Sequence, residues 1–284
     1  MYTVPETRPI SPVTLVIVKA LHDIAATHQA SYFIIGATAR DILMTHVFGI
    51  DAGRATRDVD FAIALEDWPQ FEAIKAALVH RGDFSPQPTA PHRLYYRLSE
   101  HGRAYPIDLI PFGKIADARN AIAWPPDMAV VMNVTGYTEA LQHALAVDTG
   151  DGLTINVISI PALAVLKLLA WNDRGLEDNK DAQDLLFLLR NYHSAGNAGR
   201  LFDDALPLME SCGFDIELAG AALLGHDTRL MVEKPTLGAM LDVLNDPGKR
   251  DRMTVHMSRS LKIDAAIAAS FVAQFERGLK LDTL

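Results

Sequence analysis

The 284-residue sequence predicts an α/β (α+β) half with a small mixed sheet, followed by a mainly helical half. Three observations carry this. Apolar runs of strand length alternate with helical spacing up to about residue 158. From Pro161 onward the spacing is helical almost throughout. The composition, 49% hydrophobic against 21% charged, suits a chain that buries a core rather than a disordered one. The shift in pattern divides the chain into residues 1–158 and 159–284.

Ser11-Pro12 has the form of an N-cap with proline in the first turn and opens a helix from Val13 to His28. Tyr32-Phe33-Ile34-Ile35 is a short buried strand that stops at Gly36, and residues 37–47 follow at helical spacing. A polar loop, Gly49 to Thr56, leads to Asp58-Val59-Asp60-Phe61-Ala62-Ile63, where a period of two marks a strand. Trp68 to His80 is helical. Residues 93–98 and 104–110 are two strands joined by a Glu100-His101-Gly102 turn, with further strand-like runs at 128–134 and 153–158. Turn signals in the helical half fall near Gly196, Gly225 and Pro247-Gly248.

Composition removes several classes. The net charge of −9, from 26 Lys+Arg against 35 Asp+Glu, leaves no global basic field for nucleic acid. The lone Cys212 has no internal disulfide partner, which predicts a reducing, cytoplasmic setting. No paired-histidine zinc motif, P-loop, Gly-x-Ser-x-Gly elbow or Gly-x-Gly-x-x-Gly occurs. The N-terminus has no signal-peptide pattern, and the apolar stretch Ile160 to Trp171 contains Lys167, so no membrane span is expected. Trp68, Trp124 and Trp171 are packing residues in this reading.

The chemistry concentrates around Arg57-Asp58-Val59-Asp60. Residues i and i+2 of a strand share a face, so the two carboxylates repel each other. A divalent cation such as Mg²⁺ (or Mn²⁺) resolves that conflict, with substrate phosphates completing its oxygen shell; solvated acids at an exposed edge are the plainer alternative. Ahead lies a strand–Gly36–helix turn with Thr38 and Arg40 in the first helical turn, where free backbone N–H groups suit a phosphate. Behind lies the apolar strand 104–110, interrupted by Asp108. If that strand pairs beside the first, Asp108 becomes the third acid of the cluster.

These blocks, Gly36-Ala37-Thr38-Ala39-Arg40-Asp41, Arg57-Asp58-Val59-Asp60 and Asp108, resemble the polymerase-β-type nucleotidyltransferase superfamily, whose members carry a Gly-Gly or Gly-Ser turn, then Asp-x-Asp, then a third acid. The Ala-Arg-Asp portion is also similar to the Gly-Gly-x-x-Arg-Asp signature of the tRNA CCA-adding branch. The run Leu166-Lys167-Leu168-Leu169-Ala170-Trp171-Asn172-Asp173-Arg174, with Lys180-Asp181-x-x-Asp184, resembles the AbiEii/AbiGii-type nucleotidyltransferase toxins more closely. The resemblance covers roughly residues 30–190. It implies a nucleotidyltransferase domain over 1–158 and a helical domain over 159–284 that completes the nucleotide site. It further implies transfer of a nucleoside monophosphate from an NTP to an acceptor hydroxyl, with release of pyrophosphate. The implied acceptors are RNA, tRNA especially, or protein; antibiotic-modifying relatives imply small molecules. A cognate antitoxin is an implied partner.

In that reading Asp58, Asp60 and Asp108 are catalytic and hold the metal, and Asp108 helps deprotonate the acceptor. Gly36, Thr38 and Arg40 bind phosphates, with Lys167 as a further point charge. A lysine in an apolar helix needs an anion, so Lys167 either pairs internally with Asp181 or Asp184, snorkels, or meets the triphosphate. Asp181 and Asp184 share one helical face and either orient Lys167 and Arg174 or touch the base. The sequence departs from the family pattern at Ala37, which lacks the hydroxyl of a serine; Thr38 is the candidate substitute. That departure keeps open a second reading, a nucleotide- or partner-binding module with weak or no catalysis. The run Lys249-Arg250-Asp251-Arg252, with Arg259 and Lys262, is the strongest basic patch, read either as a solvated helix face or as an RNA contact.

Overall fold

The computed structural model describes residues 1–53, 56–99, 102–176, 178–261 and 263–284, the side chains of 260 and 261 excepted. It divides into two compact units, Met1–Ile158 and Ser159–Leu284.

The first unit begins with β1 (Tyr2–Thr3), α1 (Pro12–Thr27), β2 (Ser31–Ile35) and α2 (Gly36–Asp41). Then follow β3 (Val59–Ala64), α3 (Trp68–His80), β4 (Phe84–Pro86), β5 (Arg93–Arg97) and β6 (Ala104–Phe112). It ends with β7 (Ala121–Ala123), β8 (Val131–Asn133), α4 (Tyr137–Gln142), β9 (Leu145–Asp148) and β10 (Thr154–Val157). Eight strands form one mixed sheet in the order β1-β9-β10-β2-β3-β6-β5-β4, and β7 and β8 form a separate ribbon. The central strands are apolar on both faces: Phe33, Ile34, Phe61, Ala62 and Ile63 are all fully buried. Phe33 meets Phe112 edge to face at 5.7 Å between ring centroids.

The sheet is wider than the sequence shows, because β1, β4 and β9 are each four residues or shorter and offer too little alternation to read, whereas the run expected at 153–158 is β10. The run expected at 128–134 contributes only Val131–Asn133, and to the small ribbon rather than the main sheet. The helix expected over 37–47 is α-helical to Asp41 and then widens into a π-helical segment, Ile42–Val47, a change that apolar spacing does not encode. Residues 100 and 101 of the expected turn lie outside the described residues, as does Lys262.

The second unit comprises α5 (Ile160–Arg174), α6 (Lys180–Asn191), α7 (Ala198–Leu201), α8 (Leu206–Ser211), α9 (Ile216–Met231), α10 (Lys234–Asn245), α11 (Pro247–Leu261) and α12 (Ala265–Leu279). Gly196, at φ +83°, makes the expected turn between α6 and α7. Gly225 does not: it lies inside α9, packed on α12. A Cβ on Gly225 would strike the Phe275 carbonyl, and one on Gly278 would strike the Ala222 carbonyl. These glycines let two helix backbones approach closely, a role that local sequence cannot distinguish from a turn.

This contact makes a prediction opposite in sign to helix propensity. Alanine in place of a helical glycine favours the helix by up to about 1 kcal/mol, whereas overpacking a close contact costs about 1–3 kcal/mol. Gly225→Ala and Gly278→Ala are each expected to lower the urea midpoint; a raised midpoint in both would refute the close-packing account.

Candidate active site

The site grows from a register row across four strands. Ile35 of β2 lies opposite Asp60 of β3, Asp60 lies opposite Asp108 of β6, and Asp108 lies opposite Arg93 of β5. Neighbouring strands stand about 4.8 Å apart, so the two carboxylates are immediate lateral neighbours. Asp58 lies just ahead of β3 and is exposed, two residues from Asp60. The row places Asp60 and Asp108 side by side in the sheet.

Gly36 closes one end of the row. Its backbone, at φ +69°, sits where a Cβ would collide with the Asp60 carboxylate. Only glycine satisfies both the left-handed backbone and that approach. Thr38 is buried, and its hydroxyl donates to the Asp58 carbonyl oxygen at 2.5 Å. The hydroxyl expected to reach a phosphate is therefore spent on fixing the chain that carries Asp58. Arg40 is also turned inward, 2% exposed, donating through Nε and Nη2 to Asp41 Oδ1 at 2.9 and 2.6 Å. Asp41 in turn accepts from the Thr56 backbone N–H, at 3.3 Å. Thr38 and Arg40 thus brace the turn from within, because a short helix packed against β2 and β3 points them at the protein.

Asp108 accepts a bidentate fork from Arg93, with Nε to Oδ1 and Nη2 to Oδ2 both at 2.7 Å. The bond to Asp108 raises Arg93 above its ordinary value, and the Asp58 charge adds to this. His92 Nε2 stands 3.9 Å from Asp108 Oδ1, and its ring packs 5.4 Å from that of Trp124. Burial pushes His92 below its ordinary value, outweighing the pull of Asp108, and the charges of Arg93 and Lys75 add to this. Among the described residues no three His, Cys, Asp or Glu side chains form a group arranged to hold a metal ion. Of the expected trio Asp58, Asp60 and Asp108, the third is engaged at both oxygens by Arg93. Asp58 and Asp60, as hard oxygen donors, remain the pair whose chemistry suits Mg²⁺. Arg93 and His92 carry no motif in the sequence; only strand pairing reveals them.

The second unit holds a buried ionic cluster. Lys167 Nζ in α5 lies 3.0 Å from Asp181 Oδ1 and 2.7 Å from Asp184 Oδ2 in α6, and Arg174 Nε donates to Asp181 Oδ2 at 2.8 Å. The Lys167, Asp181 and Asp184 side chains are each less than a tenth exposed. Burial alone would lower Lys167, but the two carboxylates outweigh it and hold the ammonium above its ordinary 10.5. Burial alone would raise Asp181, but Lys167 and Arg174 together hold it below 3.8. The ammonium is neutralised inside this unit, so a phosphate would have to compete with two carboxylates for it.

The basic run near residue 250 is partly spent internally as well. Arg250 pairs with Glu276 at 2.5 Å, and Arg252 lies over the buried Trp171 ring at 5.0 Å. Trp171 Nε1 donates to His256 Nδ1 at 3.1 Å. These contacts favour a packed helix face over a nucleic-acid grip.

Two outcomes follow. Lys167→Met removes the buried cation that Asp181 and Asp184 share, leaving Arg174 on Asp181, and is expected to cost about 3–5 kcal/mol near neutral pH. Asp181's share of stability is present above its ordinary value and disappears as pH falls through its lowered one, so the variant's deficit should narrow in acid, below about pH 4. Denaturant melts from pH 7 to pH 3 check this; a pH-independent deficit would contradict it. Gly36→Ala should destabilise more than Gly53→Ala, which shares φ +69° but has nothing near a Cβ. The left-handed backbone costs each about 1–2 kcal/mol, and the excess at Gly36 measures the Asp60 contact.

Of the comparisons with known proteins, the family model gives the family. The family model described as nucleotidyl transferase AbiEii toxin, type IV toxin–antitoxin system, matches residues 24–268. No curated protein matches. Among solved structures, the chain is similar to an antigenic nucleotidyltransferase-like protein from Paracoccidioides brasiliensis, at 16% identity and TM-score 0.41, over 72% of this chain and 93% of that one. It is also similar to the antibiotic-resistance factor ANT(2'')-Ia, at 11% identity and TM-score 0.35, over 78% and 96% respectively. A CCA-adding enzyme in an apo form aligns at 12% identity and TM-score 0.29, over 96% and 83%. At these values none of the three carries an argument; the family match, spanning most of the chain, does. The chain belongs to the AbiEii nucleotidyltransferase toxin family.

Proposed function

We propose that this chain is a divalent-cation-dependent nucleotidyltransferase that moves a nucleoside monophosphate from an NTP to an acceptor hydroxyl of RNA, tRNA included, or protein. The observation that supports this best is the lateral pair Asp60–Asp108, set against the Gly36 turn and two residues from Asp58. The acceptor oxygen bonds to the α-phosphorus, the α–β bridging bond breaks, and pyrophosphate leaves. Mg²⁺ (or Mn²⁺), taken through Asp58 and Asp60, would neutralise charge on the triphosphate. Gly36 offers close backbone approach to a phosphate, while Thr38 and Arg40 hold the turn and Asp58 in place. Both oxygens of Asp108 are engaged by Arg93, so Asp108 takes an acceptor proton only after that fork opens. In the second unit, Lys167, Asp181 and Asp184 serve the proposal as a positioning cluster that fixes Arg174, whose side chain is 61% exposed. Phosphoryl-type transfer depends mainly on positioning and charge neutralisation, which is what such parts supply.

Growth arrest by an AbiEii-type toxin, held in check by a cognate antitoxin, is the proposed setting, in the cytoplasm where NTPs are plentiful. No helix among the described residues is long and apolar enough to cross a membrane. The Thr38 contact favours one alternative. With that hydroxyl committed and Ala37 lacking one, the turn offers a phosphate only backbone donors, which also suits a module that binds NTP without turnover.

The test uses each of the four NTPs, labelled at the α-phosphate, with Mg²⁺ and with total RNA, purified tRNA or a protein acceptor. Label should pass to one acceptor class, and the Asp58→Asn/Asp60→Asn variant should lose several kcal/mol of transition-state stabilisation, about a thousandfold in rate. NTP at about 100 times its Kd should add roughly 2.7 kcal/mol of stability. Stabilisation without label transfer would select the binding module; neither effect would overturn both readings.

A further inference from the structure

The register row that aligns Asp60 with Asp108 ends on a cation the sequence did not mark. Arg93 faces Asp108 across the β5–β6 pair, and its fork engages both carboxylate oxygens at 2.7 Å. The pair is well sheltered, with side chains 33% and 16% exposed. A planar guanidinium matches a carboxylate in a way that an ammonium cannot, so this is a specific clasp rather than a loose surface pair.

We infer that Arg93 is a positioning residue that keeps Asp108 out of the divalent-cation shell, so that the resting site takes a cation through Asp58 and Asp60 alone. Asp108 becomes a cation ligand only when Arg93 releases it. This rests on the nucleotidyltransferase reading above and adds a residue to it. The physical reasoning is additive. A fixed positive charge beside the site opposes a second positive charge, and the fork takes one acceptor site on each Asp108 oxygen, leaving a metal only the remaining ones. The incoming triphosphate is the natural alternative anion for Arg93, because two oxygens of one tetrahedral phosphate can also accept a bidentate guanidinium fork. In this account substrate arrival frees the third acid, and the complete acid set assembles only when there is something to transfer.

The test counts metal rather than turnover. Free Mn²⁺ is measured by its paramagnetic resonance signal while the full chain is titrated, for the wild type, Asp108→Asn, Arg93→Gln, Arg93→Gln/Asp108→Asn and Asp58→Asn/Asp60→Asn. Wild type should bind Mn²⁺ in a way that Asp58→Asn/Asp60→Asn abolishes and Asp108→Asn leaves unchanged. Arg93→Gln should bind about tenfold or more tightly, or take a second ion, because a positive charge beside the site and the competitor for Asp108 are removed together. That gain should vanish in Arg93→Gln/Asp108→Asn. Adding a non-hydrolysable NTP to the wild type should make its Mn²⁺ binding sensitive to Asp108→Asn.

Three results would overturn the inference: weaker Mn²⁺ binding in Asp108→Asn without nucleotide, a folded Arg93→Gln that binds like the wild type, or a gain that survives loss of Asp108. Should Arg93→Gln fail to fold, Arg93→Lys, which keeps the charge but cannot engage both oxygens alike, must give a smaller gain of the same sign. Wild-type binding that ignores Asp58 and Asp60 counts against the nucleotidyltransferase reading instead. The Asp108-dependent gain in Arg93→Gln is read separately and still decides the role of Arg93.

Discussion

Two carboxylates, Asp60 and Asp108, stand opposite each other on adjacent parallel strands of the first unit, and the rest of that unit is arranged around this conflict. Like charges directly opposite in a sheet are destabilising, and the strands that carry these two are otherwise apolar. A sheet selected only for stability would not place them there. What makes the arrangement tolerable is the neighbourhood: Arg93 takes up the charge of Asp108 on one side, and the glycine backbone at position 36 makes room for Asp60 on the other. A row of four residues across four strands therefore combines strain and its relief within a single layer.

The turn after β2 shows how little of such a site need touch a substrate. Thr38 and Arg40 are polar, sit in the first helical turn and have chemistry suited to phosphate, yet both are buried and bonded to the protein. Their contribution is to hold the Asp58 segment and the helix start in register. A site held within fractions of an ångström depends on such supports as much as on the groups that meet the ligand.

The second unit repeats the theme with opposite polarity. There a buried cation, Lys167, is held by two anions from the neighbouring helix, and Arg174 completes the balance from the surface. Replacing Lys167 removes the cation that both buried carboxylates share, which makes the cluster costly to break although the net gain from forming it is modest. Clusters of this kind define how two helices meet more than they add to stability. They suit a unit that must present an exposed arginine in a fixed place.

The strand with Asp60, the glycine turn ahead of it and the isolated Lys167 with its Asp181 and Asp184 were all legible in the sequence, although β3 starts one residue after Asp58. Each is a local pattern: a period of two, a chain break, a charge where apolar spacing forbids one. The family match, over residues 24–268, spans all of these positions. What the sequence could not contain were relations between distant segments. Whether Asp108 lies opposite Asp60, whether Thr38 faces a ligand or a carbonyl, and whether Gly225 ends a helix or lets another approach are decided by strand register and helix packing. Arg93 is the clearest case. Within Arg93-Leu94-Tyr95-Tyr96-Arg97 it is one basic residue of a short strand, and only the pairing of β5 with β6 sets it against an acid 15 residues away. Side-chain chemistry and periodicity are written along the chain, whereas the partner of a buried charge is set by which strands lie side by side.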